Sequence, residues 1–191
     1  MACYARPGES WTYYEINPAV IRIAEDRSLF TYLSDAFPEG RGLTIELGDA
    51  RLRLRDATDK SFGALVVDAF SSDSIPAHLV TREALRLYFA KIADHGLLAL
   101  HVSNRYLRMR PMLADLALDA GLVAYDRSDR VVSDEMLARG KFASEWVVMA
   151  RSDDDLARIA HGAGTAWEKH EGRPDRRVWT DDYSNLLGLL Y

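Results

Sequence analysis

Three carboxylates stand where apolar runs of this chain end: Glu15 closes Trp11-Thr-Tyr-Tyr, Asp49 follows Leu47-Gly48, and Asp68 closes Phe62-Gly-Ala-Leu-Val-Val. In an alternating strand and helix chain, the carboxyl end of a strand is where doubly wound folds hold ribose hydroxyls with an acid. Three acids delivered to one edge of one sheet make a site, although they do not by themselves name a reaction. Asp68 carries the most information, because an acid ending a buried run is costly unless it reaches solvent or a ligand.

Each acid also has a plainer reading. Glu15 can be a helix-start acid favoured by the helix dipole. Asp49 can be a turn residue after Gly48, Asp68 a cap for the following loop, and Asp73 ordinary chemistry in the loop Ser71-Ser-Asp-Ser. His101 lies inside a strand and reads as a satisfied core or edge histidine, and His78 is a loop histidine with no carboxylate near it in sequence. No His, Asp and Glu set stands at helical i, i+4 spacing, so no metal site is expected. Ser71 and Ser72 sit in no Gly-x-Ser-x-Gly turn, which excludes a hydrolase elbow. The lone Cys3 is expected to be inert.

The elements that must position these residues can be read from periodicity. A strand is predicted over residues 11–16, followed by a helix capped by Asn17 with Pro18 first, a place that needs no N–H. Val20, Ile23 and Ala24 give it an apolar stripe. Strands are predicted over Leu43–Leu47 and, as a continuous apolar run typical of a parallel strand covered on both faces, over Phe62–Asp68. Residues 51–55 read as a short helix or turn.

Thr81 starts a helix with Leu85, Tyr88, Phe89 and Ile92 at i, i+3, i+4 and i+7, and Gly96 is placed just beyond its end. Leu97–Val102 reads as a strand, and Pro111 opens a helix closed by Gly121. Leu122–Tyr125 and Glu145–Ala150 read as an antiparallel pair at one edge, with a polar loop and one helical turn between them. A final helix over 153–160 precedes an irregular tail, in which Asp181, Asp182 and Tyr183 are placed to fold back over the strand ends or cover the sheet. The predicted fold is α/β, doubly wound and mostly parallel, in a single domain over residues 1–191.

Bulk properties agree. The 191 residues are 48% hydrophobic and 28% charged, which places the chain among ordinary globular proteins. A net charge of −5, with Arg105, Arg108 and Arg110 as the densest basic group, argues against a nucleic-acid partner. One cysteine excludes an internal disulfide framework. No apolar run approaches the ~18–20 residues of a membrane helix. No secretory-signal layout opens the chain. A cytoplasmic location without membrane insertion is the expectation.

The succession Tyr-Tyr-Glu15-Ile-Asn17-Pro18, Leu47-Gly-Asp49-Ala50 and Val-Val-Asp68-Ala-Phe-Ser-Ser-Asp73-Ser-Ile-Pro-Ala-His-Leu resembles the polyamine aminopropyltransferases, the spermidine synthases. Their fold is that of the S-adenosylmethionine-dependent methyltransferases. His101-Val-Ser-Asn-Arg-Tyr106 and Trp179-Thr-Asp-Asp-Tyr-Ser-Asn185 resemble the spermidine synthase-like bacterial branch, often fused behind a transporter-like membrane region. The resemblance covers essentially the whole chain.

It implies aminopropyl transfer from decarboxylated S-adenosylmethionine to a polyamine such as putrescine. In those terms Glu15 binds the ribose hydroxyls, Asp49 and the Ala50 backbone N–H bind the adenine, Asp68 orients and deprotonates the amine, and Asp73 helps hold the cationic substrate. No metal is implied, and a homodimer is admitted. A methyltransferase using S-adenosylmethionine, or a non-catalytic remnant of a transporter fusion, are the alternatives on the same scaffold.

The departures from the family are specific. The glycine-rich loop, the first strand and the amino-terminal hairpin region have no counterpart here. Asp68 and Asp73 are five residues apart rather than three, and Asn17 stands where an acid is common. The chain is therefore expected to be an amino-terminally truncated fragment that binds nucleoside poorly or not at all. Its strand at 11–16 is expected to pair directly with the strand at 62–68, or to leave a gap for a partner chain.

Overall fold

A computed structural model describes residues 1–70, 75–104, 106–160 and 167–190. Two compact units are distinguished, residues 1–57 and residues 58–191.

In the first unit, β1 (Trp11–Glu15) and β2 (Leu43–Leu47) form a parallel pair in which Glu15 stands opposite Leu47. Between them lie α1 (Pro18–Glu25) and a short α2 (Tyr32–Ala36), and α3 (Ala50–Leu54) follows β2. Asn17 caps α1 as predicted, its side chain accepting the Ala19 N–H at 2.9 Å with Pro18 in the first turn. The apolar stripe of α1 is only partly covered. Val20 and Ile23 stay exposed while Ile21 and Ala24 are half-buried, since two strands and three short helices offer little surface to pack against.

The second unit holds β3 (Phe62–Val67), β4 (Ile92–His101), β5 (Val123–Asp129), β6 (Ser144–Ala150) and β7 (Glu168–Lys169), in the order β3-β4-β6-β5-β7. β3 and β4 are parallel; β6, β5 and β7 run antiparallel to their neighbours. The helices are α4 (Arg82–Lys91), α5 (Met109–Asp119), α6 (Asp134–Ala138) and α7 (Asp153–Ala160). β6 is buried on both sides, Val147 and Met149 on one and Val148 and Ala150 on the other. Leu156 of α7 packs with Val148 and Ala150, flanked by Leu97, Ala99 and Val123. The core of α5 is Met112, Leu113, Leu116 and Ala117, and Gly121, at φ +68°, closes it as the sequence predicts.

The α/β alternation, the parallel pairs and the antiparallel strands match the predicted fold class. Three placements differ. Strand 11–15 and strand 62–67 belong to separate sheets, so of the two arrangements expected for them direct pairing is not the one found, and Asp68 does not share a sheet edge with Glu15 and Asp49. The antiparallel pair is not at the edge, because β6 returns between β4 and β5 and two-residue β7 takes the edge instead. Ile92 and Gly96, read as the end and stop of a helix, lie inside β4. A Cβ on Gly96 would stand 2.7 Å from the Gly63 carbonyl oxygen, so glycine is there to admit the β3 backbone.

The tail is tied to the start of α4. The Arg82 N–H donates to the Trp179 carbonyl at 2.9 Å, Thr81 Oγ1 donates to Asp181 at 2.8 Å, and the Asp181 N–H donates to Glu83 at 2.9 Å. No described helix is long and apolar enough to cross a membrane.

Candidate functional site

In the first unit, parallel pairing brings Glu15 and Asp49 to adjoining strand ends. The Gly48 N–H donates to the Glu15 carbonyl at 2.9 Å, so the acid that ends β1 and the acid one residue past Gly48 lie on neighbouring chains. The Glu15 side chain is already oriented: its Oε1 accepts the Asn17 N–H at 2.8 Å.

Asp49 is the N-cap of α3, its Oδ1 accepting the Leu52 N–H at 2.9 Å, and Ala50 is the first residue of that helix. Gly48 is at φ +144°, and a Cβ there would lie 2.6 Å from Arg53 Nε, which itself donates to the Leu47 carbonyl at 3.0 Å. The turn carrying Asp49 therefore needs glycine both for its backbone angle and for the arginine packed across it. A cavity of about 860 Å³ in this unit, lined by residues including Arg6, Tyr32, Asp35, Phe37 and Arg41, contains neither acid.

In the second unit, Asp68 stands one residue past the end of β3. The last paired residues of β3 and β4 are Val67 and Leu100. The next position on each strand puts Asp68 beside His101, and Asp68 Oδ1 accepts from His101 Nδ1 at 2.6 Å. The opposite ring nitrogen, Nε2, lies 2.7 Å from Ser103 Oγ. His101 faces Trp146 directly across the antiparallel β4–β6 pair, and the two rings stack at 4.6 Å and 12°. Phe70 closes on the imidazole edge-on at 4.9 Å.

Beyond Ser103 the site is anchored by a buried acid. Ser103 Oγ accepts the Glu145 N–H at 2.8 Å. The Glu145 carboxylate, in a residue only 4% exposed, accepts from Arg130 Nε at 3.1 Å, Arg130 Nη2 at 2.9 Å and Ser128 Oγ at 3.0 Å. Arg110 approaches it at 3.4 Å while also donating to Asp126 at 2.8 Å. Ser103, Asn104, Arg130 and Glu145 help line a cavity of about 420 Å³.

Asp73 lies outside the described residues, so its position relative to Asp68 is not part of this geometry. His101 is the group that reading the sequence passed over as a core or edge histidine. Its signal was present: two apolar runs, 62–67 and 97–100, each end on a polar residue, and if they pair in parallel those residues meet. Chemically, the cluster can orient a carboxylate with a fixed N–H donor and leave its second oxygen for a cation.

The sequence matches no protein-family profile and no curated protein. Among solved structures the chain is similar to a probable spermidine synthase from Corynebacterium glutamicum, with a TM-score of 0.57 and 14% identity over 92% of this chain and 64% of that one. It is also similar to the spermidine synthase from Thermotoga maritima, with a TM-score of 0.51 and 13% identity over 86% of this chain and 54% of that one. A spermidine synthase in complex with the transition-state analogue AdoDATO has a TM-score of 0.50 at 13% identity, over 86% of this chain and 53% of that one. The chain thus has the Rossmann-like α/β fold of these proteins and spans roughly half to two thirds of their length.

Proposed function

We propose that this chain is the nucleoside- and amine-handling part of an aminopropyltransferase, taking decarboxylated S-adenosylmethionine as donor and a polyamine such as putrescine as acceptor. The observation that carries the reading is the placement of Glu15 and Asp49 at adjoining carboxyl ends of a parallel strand pair in a spermidine synthase-type fold. Glu15, with one oxygen fixed by the Asn17 N–H, has the second for ribose hydroxyls. Asp49 and the Ala50 N–H are assigned to the adenine, and Asp73 to the cationic tail of the acceptor.

Asp68 acts as the base. The acceptor's ammonium gives one proton to the carboxylate, the freed amine attacks the aminopropyl carbon, the C–N bond forms, and the C–S bond breaks. The sulfonium leaves as a neutral thioether. The donor carries its own leaving group, so the protein's part is positioning and proton removal.

Product analysis tests this. Incubated with putrescine and each of the two sulfonium donors, the protein is expected to give spermidine from the decarboxylated donor and no methylated amine from S-adenosylmethionine. Asp68→Asn is expected to abolish spermidine formation. Methylated product would reassign the chain to methyl transfer, and no product from either donor would leave a binding domain.

A further inference from the structure

The hydrogen-bond chain through Asp68, His101 and Ser103 can be assigned donor by donor. The Glu145 N–H can only donate, so Ser103 Oγ accepts it at 2.8 Å. An ionised carboxylate only accepts, so the 2.6 Å contact with Asp68 puts the hydrogen on His101 Nδ1. A neutral imidazole has a single N–H. Its Nε2 is then an acceptor, and the 2.7 Å contact there is filled by the Ser103 hydroxyl. The Asp68 carboxylate thereby sets the direction of the chain, and the β6 amide holds its far end by fixing Ser103 Oγ. Stacking on Trp146 and the edge of Phe70 stops the ring from turning.

We propose that His101 is a positioning residue for the Asp68 carboxylate: held in its Nδ1–H form by that carboxylate and fixed in place by Ser103 and Trp146, it occupies Oδ1 and leaves Oδ2 as the oxygen presented to the acceptor's ammonium. This deepens the reading of Asp68 as the base and rests on it. The ammonium proton is taken by Oδ2 while the Nδ1 hydrogen stays on the ring, so His101 is not itself consumed. Ser103 resembles the serine of a Ser-His-Asp triad in connectivity, and here its oxygen, held by a backbone N–H, serves to fix the ring position. Without His101 the Asp68 carboxylate, whose side chain is 45% exposed, is free to rotate.

The test has two independent readouts. Long-range proton–nitrogen NMR of the ring nitrogens, with the His101 signals identified by their loss in His101→Asn, is expected to show the Nδ1–H tautomer in the unmodified protein. Asp68→Ala is expected to shift it toward the Nε2–H form that free imidazoles favour, whereas Ser103→Ala, which leaves the carboxylate in place, is expected to keep Nδ1–H. An Nε2–H tautomer in the unmodified protein, or one indifferent to Asp68→Ala, overturns the relay whether or not the protein transfers anything.

In the transfer assay, His101→Leu is expected to lower kcat about 100-fold with little change in KM for the amine. His101→Asn, which sets a carboxamide N–H near the place of Nδ1, is expected to recover at least tenfold of that loss. A change confined to KM, or equal loss in both variants, contradicts positioning. A protein with the Nδ1–H tautomer but no transfer activity would sink the base reading of Asp68 instead.

Discussion

Glu145→Ala should be among the most damaging single changes in the second unit, and its size can be worked from contacts. The substitution removes a 4%-exposed carboxylate that accepts two hydrogen bonds from Arg130, at 3.1 and 2.9 Å, and one from Ser128 at 3.0 Å. All three bonds end on an ionised group and contribute ~1.5–3 kcal/mol each, so the gross loss is several kcal/mol. Two features reduce it. The Arg130 side chain is 49% exposed and regains water on release, and Arg110 retains Asp126 at 2.8 Å.

Breaking a fully buried pair costs about 3–5 kcal/mol, so a half-exposed partner brings the expected net loss to about 2–4 kcal/mol. Glu145→Gln keeps the shape and one acceptor and should lose about half as much. Urea unfolding followed by tryptophan fluorescence, with Trp146 next in sequence to the substituted residue, gives both values by linear extrapolation. The Asp68 carboxylate and the backbone N–H that holds Ser103 survive both changes, so the His101 tautomer should persist in whatever remains folded. A loss below about 1 kcal/mol for Glu145→Ala would refute the reasoning, since the carboxylate would then be no anchor.

Two further outcomes follow from other parts of the chain. Arg82 donates twice to Asp119, at 2.6 Å each, and this pairing holds the Asp119 carboxyl below the usual range against the opposing effect of burial. A depressed folded value means the contribution is complete above the ordinary aspartate range near ~4 and is lost as pH falls through the lowered value. With both side chains roughly a third exposed, Asp119→Asn should cost about 1 kcal/mol at neutral pH and almost nothing near pH ~2, measured by urea titrations at the two pH values. In the first unit, the Tyr13 hydroxyl is buried with no hydrogen-bond partner among the described residues, and burial foremost pushes its ionisation up. Tyr13→Phe should therefore leave stability unchanged or raise it by up to ~1 kcal/mol; a loss on thermal unfolding would show that the hydroxyl is paired.

What the sequence made legible was local. Asn17 and Pro18 announce α1 through capping and a missing N–H, and both bear out in the first turn. The short strands 43–47 and 62–67 are bounded by Gly48 and Asp68, where the apolar pattern stops. Long-range pairing was not legible in the same way. Ile92 has the spacing of a fourth helical anchor after Leu85, yet the chain extends from that residue, where it pairs with Phe62 of β3. The insertion of β6 between β4 and β5 is a choice of partner that no single strand's pattern encodes. The Asp68–His101 contact is the same kind of fact: neither run by itself names its partner, and only the β3–β4 register makes the two residues neighbours. Asp49 shows the converse, since the turn chemistry that competed with a ligand role is present as the cap of α3.

The central claim, that Glu15 and the Gly48–Ala50 turn hold a nucleoside, is tested most directly by titrating methylthioadenosine into the isotopically labelled protein and following backbone amides. The account predicts saturable shifts at Glu15, Gly48, Asp49 and Ala50. These should be lost in Glu15→Gln and Asp49→Asn, substitutions that keep the acceptor for the Asn17 N–H and the cap on Leu52. Shifts that appear elsewhere, or that survive both substitutions, or none at all at millimolar nucleoside, would contradict it.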